Sequence, residues 1–128
     1  MDDLLTLAAA LRDADFDDVE VVGFGEDGPR FDSGFRGGFP ITWTRALDAE
    51  GRVRLRELIE AVPAAEPARC HFPPMGLRLG AVRASLCFQC DNAFIDGELA
   101  CMDAGSEPAR RLLEFLRAQA PAGWQSSE

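Results

Sequence analysis

Apolar residues near the start of the chain recur at helical spacing: Leu4, Leu5, Leu7, Ala8 and Leu11. They predict an opening helix, capped by Asp2 or Asp3 and ending near Asp13. The period then changes. Within 17–24, the β-branched Val19, Val21 and Val22 stand among polar neighbours and predict a strand. Residues 23–38 hold six glycines and Pro29, the composition of a long loop or loose hairpin. A short strand is predicted over 39–44, with Pro40 starting it or placing it at an edge. Helical spacing returns over 52–62. Val53, Leu55, Leu58, Ile59 and Val62 share one face there, with Arg52, Arg56, Glu57 and Glu60 on the other. Pro63 and Pro67 end that helix and frame a linker.

The second half reads as an antiparallel meander. Strands are predicted at 76–79 and 82–88, turning at Gly80-Ala81, and at 93–95 and 99–102, turning at Asp96-Gly97. Ser106 caps a last helix over 107–119, with Pro108 in its first turn. Its expected buried stripe is Leu112, Leu113, Phe115 and Leu116. A chain of 128 residues can bury an ordinary core as one domain. The expected class is therefore α+β: one domain over 1–128, with an antiparallel sheet of four to six strands and about three helices packed on it.

Charge narrows the range of partners. The net charge is −9, and ten of the 22 acids fall within residues 1–32, beside only Arg12 and Arg30. Such a field repels phosphate and argues against nucleic acid as a partner. It attracts a basic protein surface, although acids also serve simply to keep a small domain soluble. Gly23-Phe24-Gly25-Glu26-Asp27-Gly28 matches the spacing of a dinucleotide-binding loop. No helix start follows it, and Glu26 and Asp27 would repel a pyrophosphate, so an acidic turn is the better reading. No apolar run is long enough to span a bilayer, so no membrane partner is expected. The acidic start, Met1-Asp2-Asp3, is unlike a secretory signal, and the expected location is the cytoplasm. All 13 basic residues are arginine, which points to the codon bias of a GC-rich bacterial genome.

The candidate chemistry lies in the cysteines. Cys87 and Cys90 form a Cys-Phe-Gln-Cys pair, Cys70 lies upstream beside His71, and Cys101 lies downstream. Three readings are open. In the first, the cysteines are structural: buried thiols pack as small hydrophobes, and Cys70 with Cys87 and Cys90 forms a structural or redox-sensitive clasp. In the second, they bind zinc, with Cys70, Cys87 and Cys90 as three ligands and His71 or Cys101 as the fourth. In the third, they form a redox enzyme or sensor. That chemistry wants a thiol at a helix N-terminus, but the residues after Cys90 read as a turn and a strand, and Asp91 opposes a thiolate. His71 is the sole histidine, and neighbours in an extended segment point to opposite sides, so it is a poor partner for Cys70. Phe31, Phe35 and Phe39 give the glycine-rich segment an apolar load suited to clamping on its own domain or to recognition.

Cys70-His71-Phe72-Pro73-Pro74-Met75-Gly76-Leu77-Arg78, followed by Cys87-Phe88-Gln89-Cys90, resembles a group of small bacterial proteins of unassigned activity. Their pattern runs Cys-x-x-Pro-x-x-Gly-Leu-Arg, then an apolar strand into Cys-Phe-x-Cys. The resemblance extends over the capped helix at 106–113. It implies that Cys70, Cys87 and Cys90 belong together and that position 101 accepts an apolar residue. The function expected from all of this is non-enzymatic: a cytosolic binding or inhibitory protein, of the immunity type, with a basic protein as partner. A zinc module and a thiol-dependent enzyme or sensor are the alternatives.

Overall fold

Among the described residues, six strands pair side by side into one antiparallel sheet and three helices complete an α+β fold. The computed structural model describes residues 5–25, 41–67 and 74–124. In chain order these form α1 (Leu7–Ala10), β1 (Val19–Phe24), β2 (Ile41–Ala46), α2 (Ala49–Ala61), β3 (Met75–Leu79), β4 (Val82–Cys87), β5 (Asn92–Ile95), β6 (Glu98–Cys101) and α3 (Glu107–Arg117). The strand order across the sheet is β2-β1-β3-β4-β5-β6.

The meander from β3 to β6 follows from turn chemistry. Gly80 takes a φ of 62° at the first central position of the β3–β4 turn. Asp96 and Gly97 both have positive φ, 50° and 87°, as a two-residue hairpin turn matching the sheet twist requires. The Asp96 carboxylate accepts the Arg83 backbone N–H at 2.9 Å and holds that turn closed.

Strand period 2 sorts the sheet into two faces. Val19, Val21, Met75, Leu77, Leu79, Ala84, Leu86, Ala93, Ile95 and Ala100 belong to the main core with Leu7, Leu11, Leu55, Leu58, Ile59, Leu112 and Leu116 from the helices. The other face carries Val22, Phe24, Gly76, Ser85, Cys87, Asn92 and Cys101, and these too are buried.

Several boundaries differ from the sequence reading, each for a local reason. The first helix is a single turn, capped by Thr6 rather than by Asp2 or Asp3. The residues before it are drawn into sheet pairing: Leu5 accepts the Cys101 N–H at 2.9 Å, and Thr6 bridges Cys101 in parallel. The helix expected from Arg52 starts at Ala49, because Asp48 caps it by accepting the Gly51 N–H at 2.8 Å. Val53, expected on its buried face, is 63% exposed, while Leu55, Leu58 and Ile59 turn inward. Ser106 caps α3 as expected, accepting the Ala109 N–H. Its stripe is narrower than expected: Leu112 and Leu116 are buried, and Leu113 and Phe115 only partly. The strand expected over 39–44 is observed at Ile41–Ala46. Gly23 and Phe24, expected to open the glycine-rich segment of 23–38, belong to β1; residues 26–40, with Phe31, Phe35 and Phe39, lie outside the described residues, as do Cys70 and His71.

Candidate functional site

The β4–β5 turn is built from the Cys-Phe-Gln-Cys run. Cys87 ends β4 and pairs with Asn92, which opens β5. Between them the chain closes a turn in which Cys87 accepts the Cys90 N–H at 3.3 Å. Asp91 then takes a φ of 53°, a left-handed conformation that Asp and Asn tolerate better than most residues. Two contacts hold it there. Its carbonyl accepts the Met102 N–H at 3.1 Å, and its carboxylate accepts the Ala104 N–H at 2.9 Å. The turn is thereby tied to the chain leaving β6, and Asp103 ties that segment to Pro63 after α2 through a 2.8 Å backbone bond.

Cys87 and Cys90 are both fully buried, and Cys101 is a free thiol at 5% exposure. The register places Cys87, Asn92 and Cys101 in one row on the sheet face away from the helices. Asn92 stands between the two cysteines. With strands about 4.8 Å apart, the Cα atoms of Cys87 and Cys101 are separated by about 10 Å, beyond disulfide range. Ser85 and Asn92 on this face are fully buried polar residues, and neither lacks a partner, as a buried polar group requires.

The surroundings of the pair are those of a strand turn. The segment after Cys90 is Asp91 and then β5, so among the described residues no helix starts next to either thiol in the chain. Among the described residues, no three His, Cys, Asp or Glu side chains converge as metal ligands. Cavities of about 490 Å³ and 350 Å³ open on the described surface, the first beside β2 and the N-terminal end of α2, the second between α1 and α2. Neither is lined by a cysteine. Of the five sequence candidates for the cysteine site, the structure brings Cys87 and Cys90 into one turn and puts Cys101 two strands away. It does not describe Cys70 or His71.

The opposite end of the sheet has a different character. The α1–β1 loop, the β3–β4 turn and the β5–β6 turn all lie there. Gly80 donates its N–H to the Asp18 carbonyl at 2.8 Å, which fixes the loop against the sheet, and Asp15 packs on Gly80 so closely that a Cβ there would crowd it. Asp13, Asp15, Asp17, Asp18, Asp96 and Glu98 are all exposed at this end. None forms an ion pair among the described residues. Arg78, at the same end, is committed to Glu20 at 2.8 Å. Sequence reading located the acids of residues 13–18. It missed that Asp96 and Glu98 join them, a placement that becomes visible only once the hairpin is laid into the sheet. It also missed Ser85 and Asn92 as buried polar residues, whose alternation with Ala84, Leu86 and Ala93 was the available signal.

No helix among the described residues is long and apolar enough to cross a membrane. No protein-family model, curated protein or solved structure matches the chain.

Proposed function

We propose that this chain is a non-catalytic, cytosolic binding or inhibitory protein of the immunity type, and that its acidic sheet end engages a basic protein surface. The observation that carries this reading is the set of six exposed carboxylates at one sheet end, four in the α1–β1 loop and two at the β5–β6 hairpin, none of them neutralised by an ion pair among the described residues. Unpaired exposed charge of one sign adds little to the stability of a fold. It does steer and orient an oppositely charged partner.

The cysteines have a structural role in this proposal. A nucleophilic thiol has to be reached by its substrate, and Cys87 and Cys90 are buried within a strand turn and line neither of the two cavities described above. A reducing cytosol keeps such thiols as thiols.

The test uses an arginine-rich peptide as probe. The quadruple variant Asp13→Asn, Asp15→Asn, Asp17→Asn, Asp18→Asn keeps side-chain shape and the Asp15 contact to the Asp17 N–H. Affinity for the peptide is expected to fall about tenfold in the variant, and wild-type binding to weaken steeply with added salt. Equal binding by the variant and the wild type, or binding indifferent to salt, rules the reading out.

A further inference from the structure

The first helix leaves a gap that its sequence explains. α1 is the single turn Leu7-Ala8-Ala9-Ala10, in which Leu7 is the buried residue. The three alanine methyls that follow do not fill the space beside the much longer α2, and the cavity of about 350 Å³ between the two helices is the result. Leu11, Phe16 and Ile59 give it apolar walls, and Arg12, Arg56 and Glu60 are the charged residues that line it. One side is fixed in place. The Arg56 guanidinium lies 4.9 Å from the centre of the Phe16 ring, and its Nε donates to Glu60 at 3.4 Å. The volume is near the lower end of the about 300–1,000 Å³ common for binding pockets, a size that suits one large side chain.

The loop that supplies Phe16 to this cavity also supplies four carboxylates. Asp15 and Asp17 flank Phe16 in the chain, and Asp13 follows Arg12, each one Cα step of about 3.8 Å away from a lining residue. Asp18 comes next. All four are exposed, and none forms an ion pair among the described residues. Arg56 is already engaged by Glu60 and Phe16, so the free charge around the cavity is predominantly negative. The loop is also held in shape. The Asp17 N–H donates to the Asp15 carboxylate at 2.9 Å, and the Gly80 N–H donates to the Asp18 carbonyl at 2.8 Å. Apolar cavity and acidic rim are therefore parts of one preorganised surface.

We propose that the cavity between α1 and α2 receives an aromatic or large aliphatic side chain of the basic partner, while the aspartates of 13–18 hold the arginines or lysines that flank it in the partner chain. This rests on the function proposed above and adds the anchor that charge alone does not supply. An apolar side chain seated in a pocket under a polar rim is the usual build of an interface hot spot. The carboxylates steer and orient the partner, and the anchor decides which basic sequence stays bound. A small aromatic carboxylate is the other chemistry that a cavity with Arg12 and Arg56 suits, but it would meet the unpaired aspartates at the mouth.

Calorimetric titration of the full chain at fixed salt tests this with three peptides. The first has a central tryptophan between two runs of three arginines, the second a central serine in the same frame, and the third a central tryptophan between runs of glutamate. The tryptophan–arginine peptide is expected to bind about tenfold tighter than the serine peptide, and the glutamate peptide not to bind. Ala9, exposed at the cavity wall, takes two substitutions of opposite chemistry. Ala9→Trp fills the cavity, and Ala9→Glu puts a charge into it. Both are expected to remove the advantage of the tryptophan peptide, while Ala9→Trp leaves the serine peptide within about twofold of wild type. Equal affinity of wild type for the two arginine peptides overturns the anchor and leaves the acidic-end reading standing. Failure of both to bind overturns the two together. A tryptophan advantage that survives in both Ala9 variants places the aromatic elsewhere and overturns the proposal. So does tighter binding of the glutamate peptide, or self-association of the free wild type, read by light scattering, that both variants abolish.

Discussion

The two faces of the sheet bury different side chains, and the second is buried mainly toward its cysteine end, since Arg83 on the same face is exposed and Glu20 and Arg78 are partly so. The helix-covered face is aliphatic across every strand from β1 to β6, and Leu77, Leu79 and Leu86 meet Leu55, Ile59 and Leu112 there. The other face is built from small and polar groups: Gly76, Ser85, Cys87, Asn92 and Cys101, with Val22 and Phe24 at the β1 side. The first face can be assembled from transfer free energy alone, and volume-conserving exchanges among its leucines would be tolerated. The second depends on close backbone approach and on satisfied polar atoms, so its tolerance is set by shape and hydrogen bonding. Cys87 belongs to the second face and Cys90 lies outside the main core cluster, while Phe88 between them packs into the main core. The two thiols are therefore buried without being part of the aliphatic core.

The contrast can be broken by substitution. Leu77→Ala on the helix side removes a fully buried side chain and leaves a cavity, and is expected to cost about 2–5 kcal/mol, read as a lowered urea midpoint. Gly76→Ala, its neighbour facing the other way, is expected to cost about 1–3 kcal/mol although it adds only a methyl group. Its Cβ would stand 2.7 Å from the Ala84 carbonyl oxygen and 3.0 Å from Phe24 Cζ, and backbone cannot move aside cheaply. Asn92→Ala is expected to cost about 1–3 kcal/mol, because it removes a fully buried polar side chain together with the interaction it makes. If Asn92→Ala were neutral, the second face would be held by packing alone. The Glu20–Arg78 pair is about one-third exposed on each side, so Glu20→Gln is expected to change stability by no more than about 1 kcal/mol, less at high salt. Least of all is expected from chelation. With the turn held by backbone and carboxylate bonds, treatment with a strong chelator should leave the melting temperature unchanged and no zinc should co-purify. A large drop on chelation would return the zinc reading to Cys87 and Cys90.

The aliphatic face was legible in the sequence because it rests on periodicity. Val19 and Val21, the leucines of α2 and α3, and the Asp96-Gly97 hairpin were all readable from spacing and turn chemistry. Boundaries were lost where a tertiary contact decided them. Thr6 caps α1 because β6 draws Leu5 and Thr6 into pairing, and no local pattern announces that. Asp48 was missed as a cap because Gly51, in the first turn of α2, reads as a breaker. The second face was less legible. Ser85 and Asn92 alternate with apolar residues as solvent-facing positions would, and with Cys87 and Cys101 they fall into one buried face only when β4, β5 and β6 are laid side by side. The acidic end was half legible for the same reason. Its run at 13–18 is contiguous, whereas Asp96 and Glu98 arrive through the sheet.

The account rests on the thiols of the β4–β5 turn being closed to solvent and structural. The most direct measurement is the alkylation rate of Cys87 and Cys90 in the reduced native protein near neutral pH, followed peptide by peptide by mass spectrometry and compared with the urea-unfolded chain. The expected result is labelling no faster than hydrogen exchange of the buried amides of β4 and β5, and full reactivity once the chain is unfolded. Labelling of either cysteine in the folded protein at the rate of the unfolded chain or faster would contradict the account and make the turn a reactive site.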